Sequence, residues 1–295
     1  KIVLMSTGGT IVSSGDSATQ TTGYRLGNLE IDALLNKLPD LKDLIELEQI
    51  SVCRVDSSSM TCEIWLKLAR AVQAQLNRDD VDGVVITHGT DTMEETAYFL
   101  DLILKSDKPV VITGAMRPAT ALSSDGILNL YNAFQVAAHN DSHGQGVMMV
   151  LNNLISSART STKTHATNVS TFSGLLHGEL GSVVDNAVMF MNKNIKPHTL
   201  STPFNIDDFS EDESFPRVEI LFSHADDDGM LIDACLKGGV QGIVFAGLGN
   251  GCIPEKVFPA LSRASAHGIR VIRSSRVFNG AIFNALSEWH EAGFI

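Results

Sequence analysis

Short apolar runs rich in β-branched residues recur along this chain, at 2–5, 84–87, 110–113, 147–151, 218–222, 242–245 and 269–272. Each reads as a buried strand. Between them lie segments with helical spacing. Ile64, Leu68, Val72 and Leu76 recur every four residues, and 92–105, 122–139, 228–237 and 254–267 carry similar patterns. Strands alternating with helices predict α/β architecture with a mainly parallel sheet, since parallel neighbours need a crossover that a helix supplies. The pattern divides into a larger N-terminal α/β domain over 1–191, a linker over 192–217 and a smaller C-terminal βα domain over 218–295. The linker reading rests on Lys196-Pro197, Thr202-Pro203 and the acidic stretch that begins at Asp207.

In parallel sheets, ligands bind beyond the carboxyl ends of the strands. Two such ends carry reactive side chains here. Thr7-Gly8-Gly9-Thr10-Ile11 follows the first run, and Gly8 and Gly9 permit a sharp turn that leaves the Thr10 hydroxyl accessible. His88-Gly89-Thr90-Asp91-Thr92-Met93-Glu94-Glu95 follows the second, pairing a hydroxyl with a carboxylate at a helix start. Thr92 with Glu95, and Asp91 with Glu94, have capping-box spacing. Taken singly, each corner also fits an ordinary tight turn or helix cap.

Charge narrows the ligand class. With 22 basic and 34 acidic residues the chain carries a net charge of −12, which disfavours nucleic acid and anionic membranes and favours a small substrate. No apolar run approaches the roughly 18 residues that span a bilayer. Cys53, Cys62, Cys235 and Cys252 lack CxxC spacing, so zinc and a stapled fold are disfavoured and the four read as core residues. His224 with Asp226, Asp227 and Asp228 reads as the cap of the helix that follows rather than as a metal site. Gly247-Leu248-Gly249-Asn250-Gly251 does not have the GxGxxG spacing of a dinucleotide loop, and His88, at the end of a buried strand, reads as structural.

Further pieces complete a pattern: Asp56-Ser57-Ser58-Ser59-Met60, Arg159-Thr160-Ser161-Thr162-Lys163-Thr164, Gly114-Ala115-Met116-Arg117-Pro118, Ser124-Asp125-Gly126, Gly249-Asn250-Gly251 and Ser274-Ser275-Arg276-Val277. With the two threonine corners, these make the chain resemble the bacterial-type L-asparaginase (asparaginase/glutaminase) family over nearly its whole length. The resemblance implies hydrolysis of the side-chain amide of L-asparagine to L-aspartate and ammonia, with L-glutamine as a secondary substrate. It implies a threonine acyl-enzyme and no metal or organic cofactor. By resemblance Thr10 is the nucleophile, Tyr24 assists its activation, and Thr90, Asp91 and Lys163 form a second catalytic set. The same comparison gives substrate contacts to Gly9, Ser57, Ser58, Thr90, Asp91 and the carbonyl of Ala115. Asn250 is expected near a partner subunit's site, because family members are commonly homotetramers built as dimers of dimers.

The chain departs from the family pattern in three places. Ser58 stands where the periplasmic branch commonly has Gln or Glu, and its neighbourhood looks more like the cytoplasmic branch, so either compartment fits. Glu288 is the candidate for the acidic residue that a neighbouring subunit contributes in many members. The family's usual last helix is not found after Phe294-Ile295, which implies an incomplete C-terminal domain. Two rival readings are a two-domain amino-acid receptor using Ser57 and Asp91 without chemistry, and an amidotransferase subunit. The receptor does not need Thr10, Tyr24 and Lys163 together, and the amidotransferase normally carries an additional N-terminal domain.

Overall fold

The computed structural model describes residues 1–23, 31–38, 44–210, 215–283 and 286–295. It separates into two compact units, Lys1–Glu213 and Ser214–Ile295.

The first unit is built on an eight-stranded sheet. Its strands are β1 (Ile2–Gly8), β2 (Leu47–Val55), β3 (Gly83–Thr87), β4 (Val110–Thr113), β5 (Val147–Leu151) and β6 (Leu154–Ser157), followed, after the short hairpin β7 (Thr162–Lys163) and β8 (Phe172–Ser173), by β9 (Gly181–Val184) and β10 (Ala187–Phe190). The spatial order is β10-β9-β6-β5-β4-β3-β1-β2. The five strands from β2 to β5 run parallel, and β6, β9 and β10 extend the sheet antiparallel. The central strands β3, β4 and β5 are buried at every residue, which is why they are continuous apolar runs rather than alternating ones.

Helices α1 (Ile31–Leu35), α2 (Cys62–Leu76), α3 (Met93–Ile103) and α4 (Gly126–Ala137) accompany this sheet. The predicted stripe on α2 buries Leu68, Val72 and Leu76, with Ile64 half-buried. On one side of the sheet, Ile2, Leu4, Val85, Val111, Met148 and Val150 pack against Leu130, Ala133 and Phe134 of α4 and against Leu34 of α1.

All four helices predicted over 92–105, 122–139, 228–237 and 254–267 are shorter than their sequence patterns. The stretch predicted over 92–105 stops at Ile103, where Leu104 turns to an extended conformation. That predicted over 122–139 begins at Gly126, because Ser123 takes a left-handed φ of 55°. Beyond β10, residues 192–210 lie along the first unit. Lys105 Nζ donates to the carbonyls of Thr199 and Thr202 and to the Thr202 hydroxyl, each at 2.8 Å. Arg70 holds the carbonyls of Phe209 and Ser210.

The second unit is a parallel three-stranded sheet, β11 (Val218–Phe222), β12 (Gly242–Gly247) and β13 (Arg270–Ser275), in that order. Its helices are α5 (Met230–Lys237), α6 (Phe258–Ala266) and α7 (Ser287–Glu291). Ile232, Ile243, Phe245, Leu261, Val271 and Trp289 form its core. The expected aspartate cap of α5 forms only in part: Gly229 is the N-cap, with no side-chain cap, while Asp227 and Asp228 accept the Gly229 and Met230 N–H groups and Asp226 pairs with Lys256. The cysteines depart from expectation. Cys62 and Cys252 are exposed and Cys53 and Cys235 half-buried, because Cys62 is the first residue of α2 and Cys252 lies in the turn that closes back on Leu248.

Candidate active site

Thr10, Ser57, Thr90 and Met116 each follow the carboxyl end of one of four adjacent parallel strands, β1, β2, β3 and β4. A cavity of about 190 Å³ lies there, walled by Gly9, Thr10, Asp56, Ser57, Gly89, Thr90, Asp91, Met116 and Lys163, with Thr21–Gly23 and Ala166–Thr167 at its sides.

Glycine packs the Thr10 corner against the Thr90 corner. Gly9 has a φ of 89°, and a Cβ there would stand 2.4 Å from Gly89 N. A Cβ on Gly89 would lie 2.5 Å from Ser57 Oγ. Gly9 therefore meets Gly89 backbone to backbone, Gly89 packs directly on the Ser57 side chain, and Thr10 starts a single 3₁₀ turn, Thr10–Val12, directly after a glycine in a conformation other residues rarely adopt. The chain beyond Thr10 is tied down by Ala119 N to Ser13 O, Gly15 N to Thr120 Oγ1 and Leu122 N to Ala18 O. Those bonds carry Thr21–Gly23 to the cavity. Tyr24 lies outside the described residues.

The Thr90 corner is organised by its hydroxyls. Thr92, at the N-cap of α3, makes no side-chain cap and instead donates to Ser57 O at 2.7 Å. Asp91 N donates to Ser57 Oγ at 3.2 Å. Lys163 Nζ donates to Thr90 Oγ1 at 2.9 Å and to Asp91 Oδ1 at 2.6 Å. The lysine side chain is largely enclosed, at 17% exposure, while Asp91 is 61% exposed. The capping boxes expected from the sequence do not form, because their residues bind other segments: Glu94 accepts from Thr162 Oγ1 at 2.8 Å and from the backbone N–H of Lys163.

Beneath this corner His88 is fully buried. Trp65 Nε1 lies 2.8 Å from Thr96 Oγ1, Thr96 Oγ1 lies 3.0 Å from His88 Nε2, and His88 Nδ1 lies 2.7 Å from the Gly89 carbonyl. Indole is donor-only and a carbonyl acceptor-only, so the chain has one consistent direction. Trp65 donates to Thr96, Thr96 to His88 Nε2, and His88 Nδ1–H to Gly89. Burial, which lowers the His88 pKa, favours the neutral ring this requires.

The structure brings Gly9, Thr10, Ser57, Thr90, Asp91 and Lys163 into one cavity wall. Ser58 is not among the lining residues, and its hydroxyl is committed to Asp56 Oδ1 at 2.8 Å. Ala115 is completely buried beside the lining residue Met116. Asn250 belongs to the second unit, where its side-chain amide pairs with both backbone groups of Phe283 at 2.8 and 2.9 Å.

Asp125 belongs to the family pattern Ser124-Asp125-Gly126, but sequence reasoning assigned it no role. Its carboxylate accepts from Met116 N and Arg117 N and so fixes the turn after β4, a geometry hidden behind its place just before a helix. Asn129 Nδ2 braces the same turn through Gly114 O. Among the described residues no group of three or more His, Cys, Asp or Glu is placed to hold a metal.

Comparison with known proteins decides the family. Residues 1–196 match the family described as Asparaginase, N-terminal, and residues 217–295 match the Glutaminase/Asparaginase C-terminal domain. The chain belongs to the asparaginase family. It is 42% identical over 281 residues to L-asparaginase 2 of Bacillus subtilis, covering 95% of this chain and 74% of that protein. It is 44% identical over 279 residues to the probable periplasmic L-asparaginase of Haemophilus influenzae, covering 95% and 78%. The crystal structure of a probable cytoplasmic L-asparaginase from Campylobacter jejuni superposes with a TM-score of 0.94 at 44% identity, covering 100% of this chain and 89% of that one. That family likeness matches the fold predicted from the strand pattern.

Proposed function

We propose that this chain is an L-asparagine amidohydrolase that releases L-aspartate and ammonia through an acyl-enzyme on Thr10, with L-glutamine as a secondary substrate. The observation that carries the reading is the placement of Lys163 Nζ between Thr90 Oγ1 and Asp91 Oδ1 in the cavity that also holds Thr10. An amide is a weak electrophile, and dividing its hydrolysis into acylation and deacylation lowers each barrier.

In the first step Thr10 Oγ bonds to the side-chain amide carbon. The hydroxyl proton passes to the departing nitrogen, the C–N bond breaks and ammonia leaves a β-aspartyl ester. In the second, water adds to the ester carbon, the bond to Thr10 Oγ breaks, L-aspartate is released and Thr10 regains its proton. Backbone N–H groups of Gly9 and Thr90 serve as oxyanion donors, an effect worth roughly 3 kcal/mol per donor in other enzymes. Since the Thr90 hydroxyl accepts from Lys163, its own proton remains available to a group in the cavity. Thr90, Lys163 and Asp91 then orient the water and relay protons, with Tyr24 assisting Thr10.

For recognition, Ser57 binds the substrate α-carboxylate and Asp91 its α-ammonium, while the Ala115 carbonyl receives the leaving amide. Asn250 completes the contacts from a neighbouring subunit, whereas Ser58, expected as a contact, acts only through Asp56, which its hydroxyl and backbone N–H hold. Assembly into a homotetramer, a dimer of dimers, is supported by an unpartnered apolar face in the second unit. On β11, Val218, Ile220 and Phe222 are 48%, 63% and 59% exposed on the same side. No described helix is long and apolar enough to cross a membrane. The named relatives include periplasmic and cytoplasmic enzymes, and we place this chain in one of those two aqueous compartments. We take the boundary between the two domains to fall within the expected linker 192–217, after the part, 192–210, that lies along the first unit.

Product analysis tests the reading. Incubation with L-asparagine should yield equimolar L-aspartate and ammonia, with slower release from L-glutamine. Tight binding of L-asparagine without either product would favour the amino-acid receptor instead.

A further inference from the structure

The best-formed polar cluster outside the groups already assigned is the one that holds the backbone of Lys163. Glu94 sits in the first turn of α3, where its carboxylate would ordinarily face the helix's own N–H groups. It is turned instead onto β7. One oxygen accepts the Thr162 hydroxyl at 2.8 Å and the other accepts the Lys163 backbone N–H. Lys163 in turn sends its ammonium group back to Thr90 and Asp91. The lysine is therefore fastened at its backbone and at its tip to one five-residue stretch, 90–94.

We propose that Glu94 is a positioning residue for catalysis, setting the distance between β7 and the start of α3 so that Lys163 Nζ falls on Thr90 Oγ1. This rests on the asparaginase reading given above. A lysine has four rotatable side-chain bonds and loses much rotamer freedom when its head is fixed, and β7 is only a two-residue strand paired to β8. Without Glu94, nothing in β7's own pairing fixes its approach to α3. Glu94 touches neither the cavity nor, by its position, the substrate, so its loss should be felt in turnover rather than in binding.

The test is steady-state kinetics of the full chain with L-asparagine across pH, for wild type, Glu94→Ala, Glu94→Gln and Glu94→Asp. Displacing a catalytic group by about 1 Å can cost up to roughly 100-fold. Glu94→Ala should accordingly lower kcat about 10- to 100-fold, leave KM within about twofold and shift the pH dependence of kcat. Glu94→Gln should recover most of kcat, because the amide oxygen can still accept the Lys163 N–H while its N–H₂ donates to the Thr162 oxygen. Glu94→Asp keeps the charge but shortens the reach, and its expected intermediate loss serves as the readout should the alanine variant not fold. Wild-type kcat and pH profile in Glu94→Ala or Glu94→Asp would overturn the proposal, as would Glu94→Gln no better than Glu94→Ala. A wild-type chain that does not hydrolyse L-asparagine would instead remove the functional reading itself, and this proposal with it.

Discussion

Gly9 and Gly89 lie so close that a methyl group on the first would stand 2.4 Å from the amide nitrogen of the second. No side chain fits between them, and a rotamer change gives no relief, because the obstructing atoms belong to backbone. The contact joins the Thr10 corner to the Thr90 corner. Gly9→Ala should therefore destabilise the first unit by at least about 2 kcal/mol, combining a left-handed φ with a backbone clash, and should also cut kcat. Chemical denaturation beside kinetics checks this, and wild-type stability in the variant would mean that the corners do not meet in this way.

Lys163 separates stability from activity. Its Asp91 partner is largely exposed, and ion pairs of that kind contribute about 0–1 kcal/mol. Lys163→Met should thus change the unfolding free energy by no more than about 1 kcal/mol, yet lower kcat by about 10²- to 10⁴-fold, the range for loss of a positioned acid or base. Lys163→Arg should fail to restore activity, since a planar guanidinium cannot reproduce the compact ammonium geometry. Comparable losses of stability and kcat would assign the lysine a structural role.

Much of this arrangement was legible in the sequence, and the exceptions have two causes. Uninterrupted apolar runs marked β1, β3, β4 and β5, since a strand covered on both faces has no other option, whereas the parallel strand β2, with polar residues between its apolar ones, carried no such run. Double glycine before Thr10 marked the first corner because a side chain is excluded there. The antiparallel strands β6, β9 and β10 were missed: they are four residues each, and β10 alternates exposed and half-buried positions. Glu94 and Asp125 were named in the sequence without their contacts to distant segments, because both sit where helix caps sit. Local spacing cannot tell a carboxylate that caps its own helix from one that reaches to a distant segment.

Asp101 makes a pH-dependent prediction. The residue is completely buried in α3; Oδ1 accepts from Val147 N at 2.8 Å, and Oδ2 has no hydrogen-bond partner among the described residues. Burial raises its pKa to about 7, against smaller opposing effects of the Val147 N–H and the Arg159 charge. Because the folded state holds this proton more tightly than the unfolded one, the contribution is most favourable below pH 4 and is lost as pH rises towards 7. Each tenfold separation of the two acid constants is worth about 1.4 kcal/mol. Asp101→Asn keeps the acceptor for Val147 and removes the titration, so it should gain stability relative to wild type between pH 5 and pH 8. His88 and His198, whose pKa values are lowered by burial, pull the other way in both proteins and cancel in the difference. An equal stability gap at both pH values would contradict the assignment.

Ser57 should govern substrate capture. A hydrogen bond to a charged partner contributes about 1.5–3 kcal/mol, so Ser57→Ala should lower kcat/KM for L-asparagine about 10- to 150-fold, mostly through KM. Because Ser57 Oγ also receives Asp91 N, part of the loss should appear as weaker inhibition by L-aspartate. An unchanged KM would remove Ser57 from the carboxylate site.

The covalent role of Thr10 is tested most directly by quenching the chain in acid during turnover of L-asparagine and mapping its peptides by mass spectrometry, with Thr10→Ala in parallel. A single aspartyl adduct on the peptide that contains Thr10, absent from a variant that releases no ammonia, is the predicted result. An adduct on another residue, or undiminished ammonia release by Thr10→Ala, would contradict the account.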